Sequence, residues 1–443
     1  MRSEKALSAI IALICSFAVG PTPASSQQFT KFDRDRARDM LQDIASDVRK
    51  HYYDPKFHGL NWEAKVQEAK EKISTAETLN LAFSQVAAAL YSLNDSHTFF
   101  LPPPRPYRHD YGYQTQLVGD RCYVIRVRPH SDGEAKGVKA GDELLSVNGF
   151  VPARDNLWTI GYVFGVLRPQ KSLRLTLRDT AGVQHEVEVL AKMKELKRVL
   201  NFATGETGGS DIWDAIRESE NEERLMRIRS SEVKDDLLIV KFPNFMSSEG
   251  DIDSLVSRVR NHKALILDLR GNPGGSVEIL KRFLGAMFDK EVKIGDRIGR
   301  DFNKPMMTKS HGGAFTGKVI VLVDSRSASA AELFARVVQI EKRGVVIGDH
   351  TSGSVMESRR YTYHIGQGTT MYFGASITDA DIVMTDGKSL EHSGVSPDDV
   401  VLPTAADLAS GRDPVLAHAA ESVGIHISPQ QAGAMFPYEW AKD

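Results

Sequence analysis

The sequence predicts an α/β protein built in three units, and three observations carry that prediction. Residues 32–93 repeat with helical spacing, residues 112–194 alternate as short strands between glycine turns, and beyond residue 236 apolar strand runs alternate with amphipathic helices. A chain of 443 residues is too long for one compact core and suits two or three domains. Composition is that of an ordinary globular protein, 41% hydrophobic and 26% charged with a formal net charge of −2, and it contains no Lys/Arg-rich block. That balance argues against a nucleic-acid partner, so any chemistry has to be read from individual sites.

The first element, "MRSEKALSAIIALICSFAVGPTPASSQQ", has a short basic start, an apolar run from Ala6 to Gly20 and a small-residue end at Thr22–Ala24. It reads as a secretory signal peptide over residues 1–24, because a membrane-spanning helix needs roughly 20 apolar residues and this run is shorter. The expected location is therefore periplasmic or secreted, with no stable membrane insertion once the signal is cleaved. Ile14 before Cys15 is too bulky for a lipoprotein cleavage site. Cys15 leaves with the signal, so Cys122 stands alone and no internal disulfide can form. No Cys/His group has metal-ligand spacing and no glycine loop suits a phosphate, so neither metal nor cofactor is expected.

Residues 25–110 read as a helical cap, with Met40, Ile44, Val48 and Tyr52 at intervals of four, and Pro102–Pro104 end it. In residues 111–196, "CYVIRVRP", "SLRLTLRD" and "HEVEVLAK" are strands, the glycines and Asp142 make sharp turns, and Leu144, Leu145 and Val147 supply a core. The run "GVKAGDELLSVNG" resembles the centre of a PDZ domain, a small barrel that adds a peptide strand to its sheet edge. On that resemblance, Tyr111, Gly112 and Tyr113 in "YGYQTQL" belong to the loop that receives a peptide C-terminus. Residues 198–225 are polar and suit a connector. The last unit, 197–443, alternates strands "LLIVKF", "ALILDLR", "KVIVLVD" and "GVVIGD" with helices, which implies a largely parallel sheet covered on both faces.

Two turns in this unit have chemical character. In "LILDLRGNPGGS", Gly274 and Gly275 let backbone N–H groups point into open space at a helix N-terminus, a plausible oxyanion cradle or merely a tight turn. In "VDSRSASAAELFARVV", Ser325, Ser327 and Ser329 approach the start of an amphipathic helix, and any of them could equally be an N-cap. A serine hydroxyl attacks only when a base lies within hydrogen-bond reach.

"DLRGNPGG", "SASAAE" and "GVSPD", in this order with the PDZ-like unit upstream, resemble the C-terminal-processing (tail-specific) serine peptidases. That resemblance implies a ClpP/crotonase-like α/β catalytic domain. It places the nucleophile on Ser329, with the N–H of Ala330 and a glycine of the "NPGG" turn as oxyanion donors. The lysine-dependent branch carries its base in T-x-G-K, and the corresponding residue here, in "HTSGS", is Ser354. The tricorn-type branch supplies a histidine instead, from a D-x-H-T segment that "LNDSHTFF" resembles, which points to His97. His350 and His364 are competitors. The same branch places its acid at Glu391, three residues before "GVSPD", and links it to the histidine through the adjoining serine, here Ser96; Asp95 is a further orienter.

These features predict a secreted serine endopeptidase acting on proteins or peptides, gathered by their C-termini through the PDZ-like unit. The alternative is a catalytically inactive relative that captures peptides or hydrophobic ligands, since loss of the lysine is what decay produces. An acyl-CoA enzyme of the crotonase type shares the fold, but the signal peptide and PDZ-like unit oppose it.

Overall fold

The computed structural model describes residues 29–105, 107–195, 225–234, 236–310, 313–365 and 371–441. The signal peptide and all but the last residue of the connector lie outside these.

Three helices open the described chain: α1 (Lys31–His51), α2 (Trp62–Ser74) and α3 (Leu79–Tyr91). α1 starts in a reciprocal cap, where Asp33 N donates to Thr30 Oγ1 and Thr30 N donates to Asp33 Oδ2 (3.3 and 2.9 Å). Its Met40, Ile44 and Val48 are buried as their spacing requires, and Tyr52 caps its end in the same core. The chain then leaves through β1 (Phe99–Leu101) and β2 (Tyr107–Asp110).

The middle unit is a five-stranded antiparallel sheet of β3 (Tyr113–Val118), β4 (Arg121–Val127), β5 (Glu143–Val147), β6 (Ser172–Arg178) and β7 (Gln184–Leu190), paired in that order so that β3 is an edge. A one-turn helix α4 (Asp132–Ala135) follows β4. The longer α5 (Leu157–Tyr162) follows β5 and runs on as a π turn over Val163–Leu167. Leu144 and Val147 are buried but Leu145 is not, which corrects the expected core. A register shift between Leu144 and Ser146 changes the inward parity there. β8 (Lys192–Glu195) pairs with β2, so the unit is entered and left through one two-stranded ribbon.

The last region holds β9 (Arg229–Val233), β10 (Leu237–Lys241), α6 (Glu249–Val259), β11 (Ala264–Asp268), α7 (Val277–Gly285), β12 (Lys293–Gly299), β13 (Asn303–Met307), β14 (Lys318–Val323), α8 (Ala330–Ile340), β15 (Val345–Gly348), β16 (Met356–Ile365), β17 (Met371–Met384) and β18 (Asp399–Val400), then α9 (Ala405–Ser410), α10 (Pro414–Ser422) and α11 (Pro429–Met435). β18, β15, β14, β11 and β10 form the expected parallel sheet, with β9 antiparallel at one edge. Helices α6, α7 and α8 cover one face and α10 with α11 the other. This is a mixed α/β architecture.

A second sheet was not expected from the sequence. β17 pairs with β12, β16 and β1, so the helical cap and the last region share strands rather than meeting as separate bodies. The register Phe99↔Ser376, Phe100↔Ala375 and Leu101↔Gly374 sets the segment just after His97 beside β17, where Phe99 and Ser376 line a large cleft.

Candidate active site

β11 and β14 are parallel neighbours, with Asp268 opposite Leu322, and each ends in a turn that opens a helix. Open α/β sheets bind ligands in the crevice beyond such strand ends. In the first turn Asn272 is fully buried; its Nδ2 donates to Phe242 O, its Oδ1 accepts from Gly274 N, and its carbonyl accepts from Ala328 N, at 2.8, 2.8 and 2.9 Å. Both glycines need their freedom. Gly274 and Gly275 have φ of +95° and +143°, and an added Cβ would lie 2.6 Å from Ser329 Cβ and 2.7 Å from Phe245 C respectively. Gly274 N–H is spent on Asn272, which narrows the expected oxyanion pair of glycines. The N–H groups of Gly275 and Ala330 have no acceptor among the described residues.

The second turn separates the three serines. Ser325 Oγ donates to Leu117 O (2.6 Å) and Ser327 Oγ to Leu269 O (2.8 Å), so both hydroxyls tie backbone together. Ser329 differs in its backbone, with φ +54° and ψ −119°. A side-chain-bearing residue pays roughly 1–3 kcal/mol for such a conformation, and a sharp strained turn between strand and helix is how a nucleophile is presented at the top of an α/β sheet. α8 anchors it, with Leu333, Phe334, Val337 and Val338 all buried.

Three residues from two separate stretches form one hydrogen-bonded series. Ser96 Oγ lies 2.7 Å from His97 Nδ1 and donates to Glu391 Oε2 at 2.9 Å. Glu391 also accepts from Ser96 N (2.7 Å) and Val355 N (2.8 Å). A hydroxyl has one proton, and with that proton given to the carboxylate, Ser96 Oγ can only accept from His97 Nδ1–H. That tautomer leaves a lone pair on Nε2. Burial holds His97 below its ordinary pKa and pushes Glu391 above its own, the donors to the carboxylate opposing the latter shift. Asp95 orients the backbone instead of the ring: its Oδ1 accepts from His97 N, Thr98 N and Thr378 Oγ1 at 2.9, 2.7 and 2.6 Å.

The two halves are tied through one loop. Ser329 N donates to Ser354 O (2.8 Å), and the next residue, Val355, donates to Glu391. Glu332 fastens that loop. Fully buried, it accepts from Thr351 Oγ1, Gly353 N, Ser354 N and Ser329 N at 2.5, 2.7, 2.9 and 3.0 Å. Burial pushes its pKa up to about 7 against those donors. The sequence reading gave Glu332 no role, although Ser329-x-x-Glu332 has capping-box spacing and signalled it.

Ser96, His97, Gly274, Gly275, Ser329 and Ala330 line the same large cleft. His350 reaches it too, but its Nδ1 faces Thr351 O (3.0 Å) and not an acid; His364 is exposed on β16 against Tyr372. Tyr111 and Tyr113 line the cleft at the start of β3. Gly112 spends its N–H on Asp110 Oδ1 (2.8 Å) and its carbonyl on Arg128 N (2.7 Å), so it is not a free donor for a peptide carboxylate. Among the described residues no helix is long and apolar enough to cross a membrane.

The chain is similar to known proteins in sequence and in fold. Residues 236–401 match the family model Peptidase family S41, and residues 33–78 match that of the Tricorn protease C1 domain. Carboxyl-terminal-processing peptidase 3, chloroplastic, of Arabidopsis thaliana is 21% identical over 423 residues, spanning 85% of this chain and 72% of that protein. The carboxyl-terminal-processing protease of Picosynechococcus sp. is 22% identical over 380 residues, spanning 82% and 83%. Among solved structures, mature CPAF superposes with a TM-score of 0.63 at 16% identity, covering 85% of this chain and 94% of its own. The photosystem II D1 C-terminal processing protease gives 0.50 at 17% identity, covering 83% and 93%.

Proposed function

Because the chain belongs to the C-terminal-processing serine peptidases, with its S41 domain over residues 236–401, we propose that it cleaves peptide bonds through an acyl-enzyme on Ser329 with His97 as general base. His97 Nε2 takes the Ser329 proton as Oγ attacks the carbonyl and returns it to the leaving amine; water then repeats the sequence to release the acid. Glu391 acts through Ser96, holding the imidazole in the tautomer with a free Nε2 and stabilising its cation. The N–H groups of Ala330 and Gly275 take the oxyanion, each worth about 3 kcal/mol. Ser354 stands where resemblance to the lysine-dependent branch would put a lysine, and in this reading the Glu391–Ser96–His97 series replaces that base. The single observation carrying the reading is this series, whose Ser96 and His97 line the same cleft as a strained Ser329.

The five-stranded middle unit, with β3 as an edge strand, fits a PDZ domain over residues 111–196 that collects peptide C-termini, between a helical cap (25–110) and a ClpP/crotonase-like peptidase domain (197–443). Export to the periplasm or beyond follows from residues 1–24. A fluorophosphonate probe tests the central claim: the parent labels on Ser329, while Ser329→Ala and His97→Ala label at background. Equal labelling of the parent and Ser329→Ala overturns it.

A further inference from the structure

The chemistry above leaves unused a set of aromatic rings beside His97. At the start of β1, Thr98 just before it and Phe100 within it are buried at 3% and 0% exposure, and Phe99 between them lines the cleft. Its ring meets that of Trp158 edge-on with centroids 5.7 Å apart, and Trp158 stacks on Tyr162 at 4.9 Å and 15°. Tyr162 is itself fixed, its hydroxyl donating to Phe100 O. The ladder is braced from behind, yet Trp158 is 54% exposed. Apolar area left in water forgoes roughly 25 cal/mol per Å², and a braced indole left wet is a surface prepared for a partner.

The helix carrying Trp158 points the same way. Gly161 and Gly165 follow it at helical spacing, and a Cβ added at either would meet nothing within 4 Å. Glycine inside a helix costs about 0.5–1 kcal/mol relative to alanine, and no neighbour here demands it. The helix continues as a π turn over Val163–Leu167, a feature that gathers at functional sites. Phe99, Trp158, Gly161 and Gly165 line the same large cleft as His97 and Ser329, so a substrate extended along that cleft can reach them.

We propose that Phe99 and Trp158 form a subsite for a bulky apolar side chain of the substrate, on the C-terminal side of the cleaved bond, with Gly161 and Gly165 leaving room for the backbone beyond it. The side follows from the proton. His97 delivers it to the leaving amine, so the leaving segment lies on the His97 side, where Phe99 stands two residues away. This rests on the role of His97 given under Proposed function.

The test is a peptide library digested by the parent, Trp158→Ala and Trp158→Phe, with the new N-termini sequenced. In the parent, Phe, Tyr, Leu and Trp are enriched about tenfold over Ala and Asp at one of the first two positions after the cut, a typical yield for filling an apolar pocket. Trp158→Ala brings that ratio within about twofold and Trp158→Phe restores most of it, while fluorophosphonate labelling of Ser329 stays equal in all three. Enrichment that survives Trp158→Ala, or that falls only before the cut, overturns the subsite. A parent that labels and cuts nothing sinks the hydrolase reading. The shelf is then read by binding of Phe- and Asp-bearing peptides to parent and Trp158→Ala: a preference lost in the variant supports it, and equal binding overturns it.

Discussion

The turns after β11 and β14 leave adjacent parallel strands and both open helices, yet they reach positive φ by opposite means. The first uses glycine at 274 and 275, where the backbone of Phe245 and the side chain of Ser329 leave no space for a Cβ. The second holds a serine at φ +54°, a conformation glycine would adopt without strain. Where only a backbone N–H is wanted, the chain drops the side chain; where a hydroxyl must be presented, it bears the strain. The pair is also interlocked, through Ala328 N on Asn272 O and Gly274 against Ser329 Cβ, so neither turn keeps its shape alone.

The largest effect expected separates the roles of the turns. Ser329→Ala removes turnover by a factor on the order of 10³ to 10⁶ while leaving the fold intact, as circular dichroism and burst kinetics will report. Glu391→Gln strikes the base side: it removes the charge and turns one of two accepting oxygens into an NH2 donor, so the His97 tautomer is no longer set, and kcat falls about 10²- to 10⁴-fold with KM little changed. Residual activity within tenfold of the parent would mean that the Ser96 link is idle. Gly274→Ala attacks the interlock itself. Its Cβ meets Ser329 Cβ, so both stability, by roughly 1–3 kcal/mol in denaturant titration, and Ser329 labelling decline together. A stable, fully reactive Gly274→Ala would show the turns to be independent.

A pH profile sharpens the base side. With His97 held below its ordinary value by burial, the neutral imidazole persists to lower pH, so the acid limb of kcat/KM falls below about pH 6.5. An acid limb above that value would indicate a different base. The smallest effect tests the strain directly: Ser329→Gly is inactive but more stable than Ser329→Ala by about 1 kcal/mol, since both lack the hydroxyl and only glycine fits the backbone.

Legibility in the sequence followed how local each feature is. The parallel sheet, the stripe on α8 and the buried face of α1 all come from short-range periodicity, and strand alternation around "GVKAGDELLSVNG" was enough for the middle sheet. β12, β13, β16 and β17 were missed: β12 and β13 pair as near neighbours, as do β16 and β17, but what joins them into a sheet is β17 meeting β12 and β1 far along the chain, and β17 is buried almost throughout, so it shows little alternation. Ser325, Ser327 and Ser329 looked alike because a hydroxyl's partners, Leu117 and Leu269, are set by packing. Glu332 carried a local signal that was passed over.

The sequence alone determined the order of the units, the two turns and the residue types able to do acyl chemistry, because apolar spacing and glycine placement act within a few residues. Only the tertiary structure decided which serine is strained, which glycine N–H is unspent and which acid meets the histidine. Glu391 and Ser96 stand 295 positions apart, and closing a loop of that length is decided by the packing of whole sheets, not by any motif at its ends.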